Sequence, residues 1–555
     1  MLRQDLWFAF QVLSKHRRYA ALSVVTIALA TGAAIAIASI AYAALLRPLP
    51  FPASNRLAML YITASEPGRA VYNQRWSFGR FQLLRRMQTS FVEVASFGPQ
   101  SLNMQGADQS ERITGESVSA PYFRTLGVSP LIGRTFAADE DSIPGARPVA
   151  VLGYDLWRRR FGGDSAVVGR AVRVEGLELT VIGIMPPGFG GLTGRAELWT
   201  TKAMAPLLSY REHLTTNQNF ISVVARLRPP ATFETARAEM DVLGRRIQAA
   251  LPSDRDEPTT FAATAVPVGQ ARVDPANREV VLILLAAAAL LLLIAAANLA
   301  SLQLGRAIDR RREIAVRLAL GATRGRLVQQ LLTESTILGL IGTLGGLGLS
   351  SALSAWLVAP GRTIGVRGYY GQIAEFATTR LDGRVVLFAL VLAIGLPLLF
   401  GLVPALRATK LDLTVDLRGR QAGGSRSRLA LQSALVVTEV ALALILSIGA
   451  SLLVKSLVWI QHVDRGFEAA NLLTFRIQPS DVRYPAPVAP AVIEQVLARV
   501  SAVPGVVSAS VDAAAPFEGP ANSTLYIVGR PEPSPGRAPE ITRHYVGPDH
   551  FKTLG

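Results

Sequence analysis

Cysteine is absent from all 555 residues, so disulfide frameworks, zinc–thiolate clusters and thiol nucleophiles are excluded at once. The absence leaves the compartment open. Charge is scarce too: Asp, Glu, Lys and Arg make up 17% of the chain, against the ~25% of an ordinary soluble domain. Lysine is rarest of these, present only as Lys15, Lys202, Lys410, Lys455 and Lys552. None follows a glycine, whereas a P-loop needs Gly-Lys-Ser/Thr to cradle phosphates. His16, His213, His462, His544 and His550 form no His-Glu-x-x-His, and only the last two approach a ligand spacing. The expectation is a chain that is not an enzyme, with no catalytic residues, no metal site and no cofactor of its own.

Apolar residues are plentiful: half the chain is hydrophobic and the mean hydropathy is +0.32. Five runs are long enough to cross a hydrocarbon layer of ~30 Å, which takes about 20 helical residues. They are Tyr19 to Leu46, Val280 to Leu304, Leu327 to Val358, Val385 to Leu406 and Leu429 to Val454. The net charge of +17 is explained by where the arginines fall. Arg3, Lys15, Arg17 and Arg18 precede the first run; Arg306, Arg310, Arg311, Arg312, Arg317, Arg324 and Arg326 separate the second from the third; Arg407, Lys410, Arg418, Arg420, Arg426 and Arg428 separate the fourth from the fifth. An alternating path with all three clusters in the cytoplasm obeys the positive-inside rule. Because the basic residues abut apolar runs rather than form one aromatic-interleaved patch, a nucleic acid partner is not expected. Ala41-Tyr42-Ala43 has the form of a signal-peptidase site, but the apolar stretch is too long for a signal h-region, which favours an uncleaved anchor.

This topology exports residues 47–277 and everything after about Lys455. Ala171 to Val174 and Leu177 to Ile184 are β-rich runs joined by Glu175-Gly176, a hairpin signal. Ala236, Met240, Leu243, Ile247 and Leu251 recur at three- and four-residue spacing after Thr232, a candidate N-cap, so one helix face is apolar up to Pro252. The exported material is therefore α+β. Farther on, Pro490 can open a helix through Ser501, Pro504-Gly505 can turn the chain, and Val506 to Val511 reads as a strand. An internal match stands out: the ten residues from Val118 to Gly127 reappear from Val546 to Gly555 with five identities, and Val24-Val25-Thr26 recurs as Val436-Val437-Thr438. Tandem duplication accounts for both in the same order.

Between the second and third runs lies RRREIAVRLALGATRGRLV, from Arg310 to Val328, too short for a domain and amphipathic. Arg310, Glu313 and Arg317 share one helix face, Ile314 and Leu318 make an apolar strip beside it, Gly321 can end the helix, and Thr323 can cap the next. Residues 311–335 closely resemble the signature of MacB/FtsX-type permeases of ABC transporters. Val149 to Leu152, Leu156 to Asp164, Val168 to Arg170 and Val181 to Pro186 look like the MacB periplasmic core domain. The doubled layout is similar to the duplicated orphan permease branch, except that the second half is cut short, so the chain reads as a fragment whose functional form continues past Gly555.

The resemblance implies an α-helical polytopic membrane protein with α+β extracytoplasmic domains and a tandem duplication. It implies residues 1–46 as an N-terminal cytoplasmic segment and first membrane helix, 47–277 as an outer core-like domain, and 278–406 as three membrane helices with a coupling elbow at 305–326. A cytoplasmic linker at 407–428, a fifth helix at 429–454 and part of a second outer domain at 455–555 follow. It further implies a permease subunit in the inner (plasma) membrane that exports or extracts a substrate while an ABC ATPase in trans consumes the ATP. Arg312, Glu313, Arg317, Leu320, Gly321, Ala322 and Arg324 would meet that ATPase. Membrane lipids, and a dimer or a pseudo-dimer through the duplicated half, complete the expected partners. The alternative is an FtsX-like anchored protein that regulates a cell-envelope partner without transport, and a bare topogenic loop is the plainer reading of the elbow. Two polar residues inside apolar runs, Asn298 and Glu439, are functional candidates by position, although a carboxyl or amide packed between helices is the simpler account.

Overall fold

Lipid and water set two different folding problems, and the computed structural model answers them in two units, one of apolar helices and one rich in strands. It describes residues 11, 14–46, 48–65, 72–106, 110–209, 213–215, 219–251, 260–272, 275–309, 316–317, 320, 323–358, 383–409, 425–475, 477, 489–512, 521–524, 527–530 and 540–555.

In chain order, helix α1 (Arg17–Ala41) runs on into a π-helical turn, Tyr42–Leu46. Strands β1 (Leu57–Ser65) and β2 (Tyr72–Gln74), helix α2 (Phe78–Met87), the long hairpin β3 (Phe91–Gln105) and β4 (Ser110–Val118), and helix α3 (Tyr122–Leu126) follow. Then come β5 (Ile132–Gly133), β6 (Val149–Leu152), helix α4 (Tyr154–Phe161), β7 (Ala171–Val174), β8 (Leu177–Ile184), β9 (Leu198–Thr201), β10 (Ser222–Leu227), helix α5 (Phe233–Ala250) and β11 (Thr260–Pro267). These eleven strands make one sheet in the order β11-β1-β10-β3-β4-β9-β6-β8-β5, with β2 beside β1 and β7 beside β8.

The β3–β4 hairpin is the spine of that sheet because two cores share it. Phe91 and Val94 join Leu60, Trp76, Phe81, Val223, Met240 and Ile247 under α2 and α5, whereas Leu102, Met104 and Ile113 join Leu152, Trp157, Val181 and Ile184 under α4. The two local sequence signals hold. The β7–β8 hairpin turns at Glu175 and Gly176, both at positive φ (49° and 77°), as a two-residue type I′ turn requires. Thr232 caps α5 by accepting from Thr235 N–H, and Ala236, Met240, Leu243 and Ile247 are its buried face.

The apolar helices are α6 (Pro275–Asp309), α7 (Arg324–Val358), α8 (Gly383–Thr409) and α9 (Ser425–His462). Among the described residues α1, α6, α7 and α9 are long and apolar enough to cross a membrane, while α8 contributes a described apolar stretch at Gly383–Gly395. Helix α9 continues to His462, beyond the Val454 limit expected from hydropathy, because Leu457, Val458, Trp459 and Ile460 extend the pattern past Lys455. Helix α1 is the hub. Ile27 packs with Leu299 and Leu338, and Ile35 with Val385 and Ala389, so α6, α7 and α8 all touch it.

After α9, helix α10 (Ala489–Ser501), the pair β12 (Ala521–Thr524) and β13 (Glu540–Arg543), and helix α11 (His550–Leu554) complete the described chain. The strand expected at Val506 to Val511 is not formed. A strand persists only where a neighbour supplies hydrogen bonds, and among the described residues the ladder contact nearest this run is the bridge between Asp512 and Val546, with Val507 left exposed.

Helices α3 and α11 share their wiring. Tyr122 N–H donates to Ser119 O at 3.0 Å and His550 N–H to Gly547 O at 3.2 Å. The Thr125 hydroxyl donates to Pro121 O at 2.9 Å and the Thr553 hydroxyl to Asp549 O at 2.8 Å. Gly127 abuts Pro52, and Gly555 abuts Glu468, in the matching strings Phe51-Pro52-Ala53-Ser54-Asn55-Arg56-Leu57 and Phe467-Glu468-Ala469-Ala470-Asn471-Leu472-Leu473.

Close approach of α5 to the sheet depends on Gly244, where an added Cβ would overlap the backbone of Ala262 and Ala263 on β11. Backbone cannot move aside as a side chain can, so Gly244→Val is expected to destabilise this unit by about 1–3 kcal/mol, read as a lowered thermal midpoint. An unchanged midpoint would mean that α5 does not seat on β11 as described.

Candidate functional site

The charged segment between α6 and α7 is the first place to look. Of the residues expected to meet an ATPase, Arg312, Glu313, Gly321 and Ala322 lie outside the described residues, as do Arg310, Ile314 and Leu318. Arg317, Leu320 and Arg324 are described. Arg317 Nη1 donates to Gln330 Oε1 at 3.3 Å, which ties the segment back to α7. Leu320 is 83% exposed, and Val316, whose carbonyl accepts Leu320 N–H, is exposed beside it. Two exposed aliphatic side chains therefore stand at this turn, close in sequence to Arg317. Thr323 precedes α7, and Arg326 N–H donates to its hydroxyl at 3.4 Å and to its carbonyl at 3.1 Å, so the expected cap is in place. Arg324 is the first residue of α7.

Sequence reasoning missed what lies under this segment. Arg306, in the last turn of α6, pairs through Nη1 with Glu334 Oε2 at 3.5 Å, and both side chains are largely buried, at 14% and 5% exposure. The same guanidinium lies 4.5 Å from the Tyr19 ring centroid, at the start of α1. Gln303 Nε2 donates to Ser335 Oγ at 2.9 Å beside them. A polar knot therefore joins α1, α6 and α7 where the elbow leaves the helices. Glu334 stands within the run Leu327 to Val358, so a search for carboxylates in apolar runs would have found it.

The two intramembrane candidates are not brought together. Asn298 on α6 and Glu439 on α9 are both half-buried, and no hydrogen bond joins them among the described residues. Thr438 donates to Ala434 O in its own helix. Glu439 lies fourteen residues into α9 (Ser425–His462), roughly 21 Å from its first residue.

In the strand-rich unit two buried polar groups carry the electrostatics. Glu116 on β4 accepts from the Tyr122 hydroxyl at 2.7 Å, Thr193 N–H at 2.7 Å and Trp199 Nε1 at 2.8 Å. Burial pushes its carboxyl up, and those donors oppose the shift. Gly191, at φ +70°, is required there, since any Cβ would collide with the Glu116 carboxylate. Lys202, just after β9, is 2% exposed, and burial pulls it down to about 8 against the opposing charge of Asp141. His213 is held down at about 4 by burial and then by Lys202. Among the described residues no group of three or more His, Cys, Asp or Glu is arranged to hold a metal ion.

Two family models match this chain: MacB-like periplasmic core domain over residues 20–243, and FtsX-like permease C-terminal over residues 285–413. The chain belongs to the MacB/FtsX-type ABC transporter permeases. It is a membrane protein with an extracytoplasmic domain. The macrolide export ATP-binding/permease protein MacB of Chromobacterium violaceum is 26% identical over 325 residues, covering 58% of this chain and 45% of that protein. The pyoverdine export ATP-binding/permease protein PvdT of Pseudomonas aeruginosa is 29% identical over 276 residues, covering 49% of this chain and 37% of that protein. The chain thus spans about half or less of the length of these curated relatives. The crystal structure of the periplasmic region of MacB from Actinobacillus actinomycetemcomitans aligns at 14% identity and TM-score 0.29, covering 38% of this chain and 88% of that one.

Lys202 gives a pH dependence with a definite sign. Below pH 8 the lysine is protonated folded and unfolded alike; between about 8 and 10.5 only the unfolded form keeps its proton, so raising the pH through that window relieves the burial cost. The gain is at most about 3 kcal/mol. Lys202→Met should therefore melt higher than the parent at pH 7, and the difference should shrink by pH 10 in tryptophan-fluorescence melts. A difference that does not change with pH would show that Lys202 titrates normally.

Proposed function

We propose that this chain is the membrane subunit of an ABC transporter, coupling ATP hydrolysis by a separate ATPase to movement of extracytoplasmic domains so that a substrate is exported or extracted at the outer face. The observation that carries this reading is the elbow itself: an arginine-rich turn presenting Val316 and Leu320, set between two helices long enough to cross a membrane and tied to them through Arg317 and the Arg306–Glu334 pair. A loop serving only as a topology signal has no use for exposed aliphatic residues or a buried ion pair at its base, because basic residues alone satisfy the positive-inside rule. The contact set is then Arg312, Glu313, Arg317, Leu320, Gly321, Ala322 and Arg324. ATP belongs to the partner, which fits the absence of any Gly-Lys pair in this sequence. Export by the relatives MacB and PvdT favours transport over regulation of an envelope partner.

The inner membrane is the compartment this reading requires, with lipid against the outward faces of the apolar helices. The domain limits derived from the sequence belong to the same proposal. The duplicated orphan permease branch is the subfamily we favour, with a pseudo-dimer formed by the two halves. Support comes from the shared hydrogen-bond wiring of α3 and α11 and from the equivalent placement of Pro52 against Gly127 and Glu468 against Gly555. Short sequence matches arise by chance more readily than matches that also share their long-range neighbour.

Affinity purification of the tagged protein from its own membranes tests the elbow. An ATPase carrying a P-loop should copurify with the parent protein, and Leu320→Asp, which places a charge at the exposed aliphatic contact, should reduce that recovery at least tenfold, a loss of about 1.4 kcal/mol. Arg317→Glu should reduce it as well. Equal recovery with both variants would assign the elbow to topology alone.

A further inference from the structure

Helix α1 has no link in sequence to the elbow, yet it packs more extensively on α7 than on any other element. The packing is an interlock of small residues. An added Cβ at Gly342 would come within 2.7 Å of Ile27, one at Gly345 within 3.3 Å of Ala28 Cβ, and one at Gly346 would overlap the Thr31 hydroxyl. On the other side, a Cβ at Gly32 would meet Leu349 at 3.0 Å. Positions 342, 345, 346 and 349 recur at one face of α7, so the seam is continuous over two turns. Thr31 donates to Ile27 O at 2.7 Å, so its hydroxyl is satisfied within α1 and adds no polar cost to the contact.

Two backbones this close cannot slide past each other without lifting a side chain over a ridge, and packed interfaces of this kind switch between discrete arrangements rather than deform smoothly. The lower end of the seam is fastened independently. Arg306 and Glu334 form their buried pair there, with the Tyr19 ring of α1 over the guanidinium. Separating two desolvated charges in an apolar surrounding is strongly unfavourable, so α1 and α6 stay registered to the first turns of α7. At its other end α1 is fastened to α8, where the Arg384 guanidinium meets the Tyr42 hydroxyl and lies 5.6 Å from its ring. Tyr42 opens the π-helical turn through which the chain leaves α1 for the strand-rich unit.

We infer that α1 and α7 move as one rigid body, and that displacement of the elbow reaches the extracytoplasmic domain through the glycine seam into α1 as well as along α6. Arg306 and Glu334 are positioning residues that keep the three helices in register at the elbow. This rests on the reading of the chain as a permease subunit.

The absence of native cysteine makes the test direct. Ala28→Cys with Gly345→Cys places two sulfurs across the seam with Cβ atoms near the ~3.8 Å of a disulfide. In the purified complex with its ATPase, the disulfide should form on mild oxidation and leave ATP turnover within twofold of the reduced value. Gly342→Leu, which wedges the seam, should keep ATPase copurification but lower turnover at least tenfold. Should that variant fail to fold, Glu334→Gln takes its place with the same expectation, and Arg306→Glu combined with Glu334→Arg should restore turnover. Arrest of turnover on oxidation with recovery on reduction would show that the helices must slide, and would overturn the inference. So would failure of the disulfide to form, or full turnover in both Gly342→Leu and Glu334→Gln. If the parent protein brings down no ATPase, the subunit reading fails and the coupling role with it, whereas disulfide formation still decides whether the seam is closed.

Discussion

A hydrocarbon layer offers no partner to a backbone amide, and that constraint organises the chain. Every residue committed to lipid must satisfy its own N–H and C=O, so the crossing segments are helices, and polar side chains within them must be paired or turned back on their own helix. Thr31, Ser39 and Thr438 do the latter, each donating to the carbonyl four residues earlier. Arg306 and Glu334 do the former. With no hydrophobic force between helices in lipid, association has to come from close packing, which is the use of the glycines along α7. Outside the membrane the problem reverses, and a sheet with two separate cores solves it, joined by the single long hairpin β3–β4.

Local features were legible in the sequence because their causes are local. The β7–β8 hairpin follows from Glu175-Gly176 between two β-rich runs, and α5 follows from the spacing of Ala236, Met240, Leu243 and Ile247 after Thr232. The apolar helices follow from length and hydropathy, though the end of α9 shifted to His462. Non-local features were not legible. Nothing near β4 announces that it pairs with β9 in parallel, or that Glu116 collects donors from residues 122, 193 and 199. The Val506 to Val511 run has the composition of a strand, yet among the described residues no strand pairs with it.

The candidate site divides the same way. The elbow was found from its charge and its place between apolar runs, and the Thr323 cap was correctly anticipated. The Arg306–Glu334 pair was overlooked because its members are 28 residues apart and Arg306 was counted as a topology signal. Its burial changes what the arginine cluster is for. Arg306 is structural, whereas Arg317 and Arg324 are at the exposed turn, so residues that contribute alike to the charge balance have different tasks. Glu439, chosen on the same grounds that apply to Glu334, has no such partner among the described residues of its surroundings.

The central claim is that nucleotide chemistry at the elbow changes the state of a domain on the other side of the membrane. Hydrogen–deuterium exchange of the chain in lipid nanodiscs with its ATPase, with and without a non-hydrolysable ATP analogue, tests it directly. The account predicts altered exchange both in residues 316–330 and in the extracytoplasmic sheet, most of all at β1, which follows α1 in the chain, and β11, which precedes α6. Exchange that changes at the elbow and nowhere outside the membrane would contradict it.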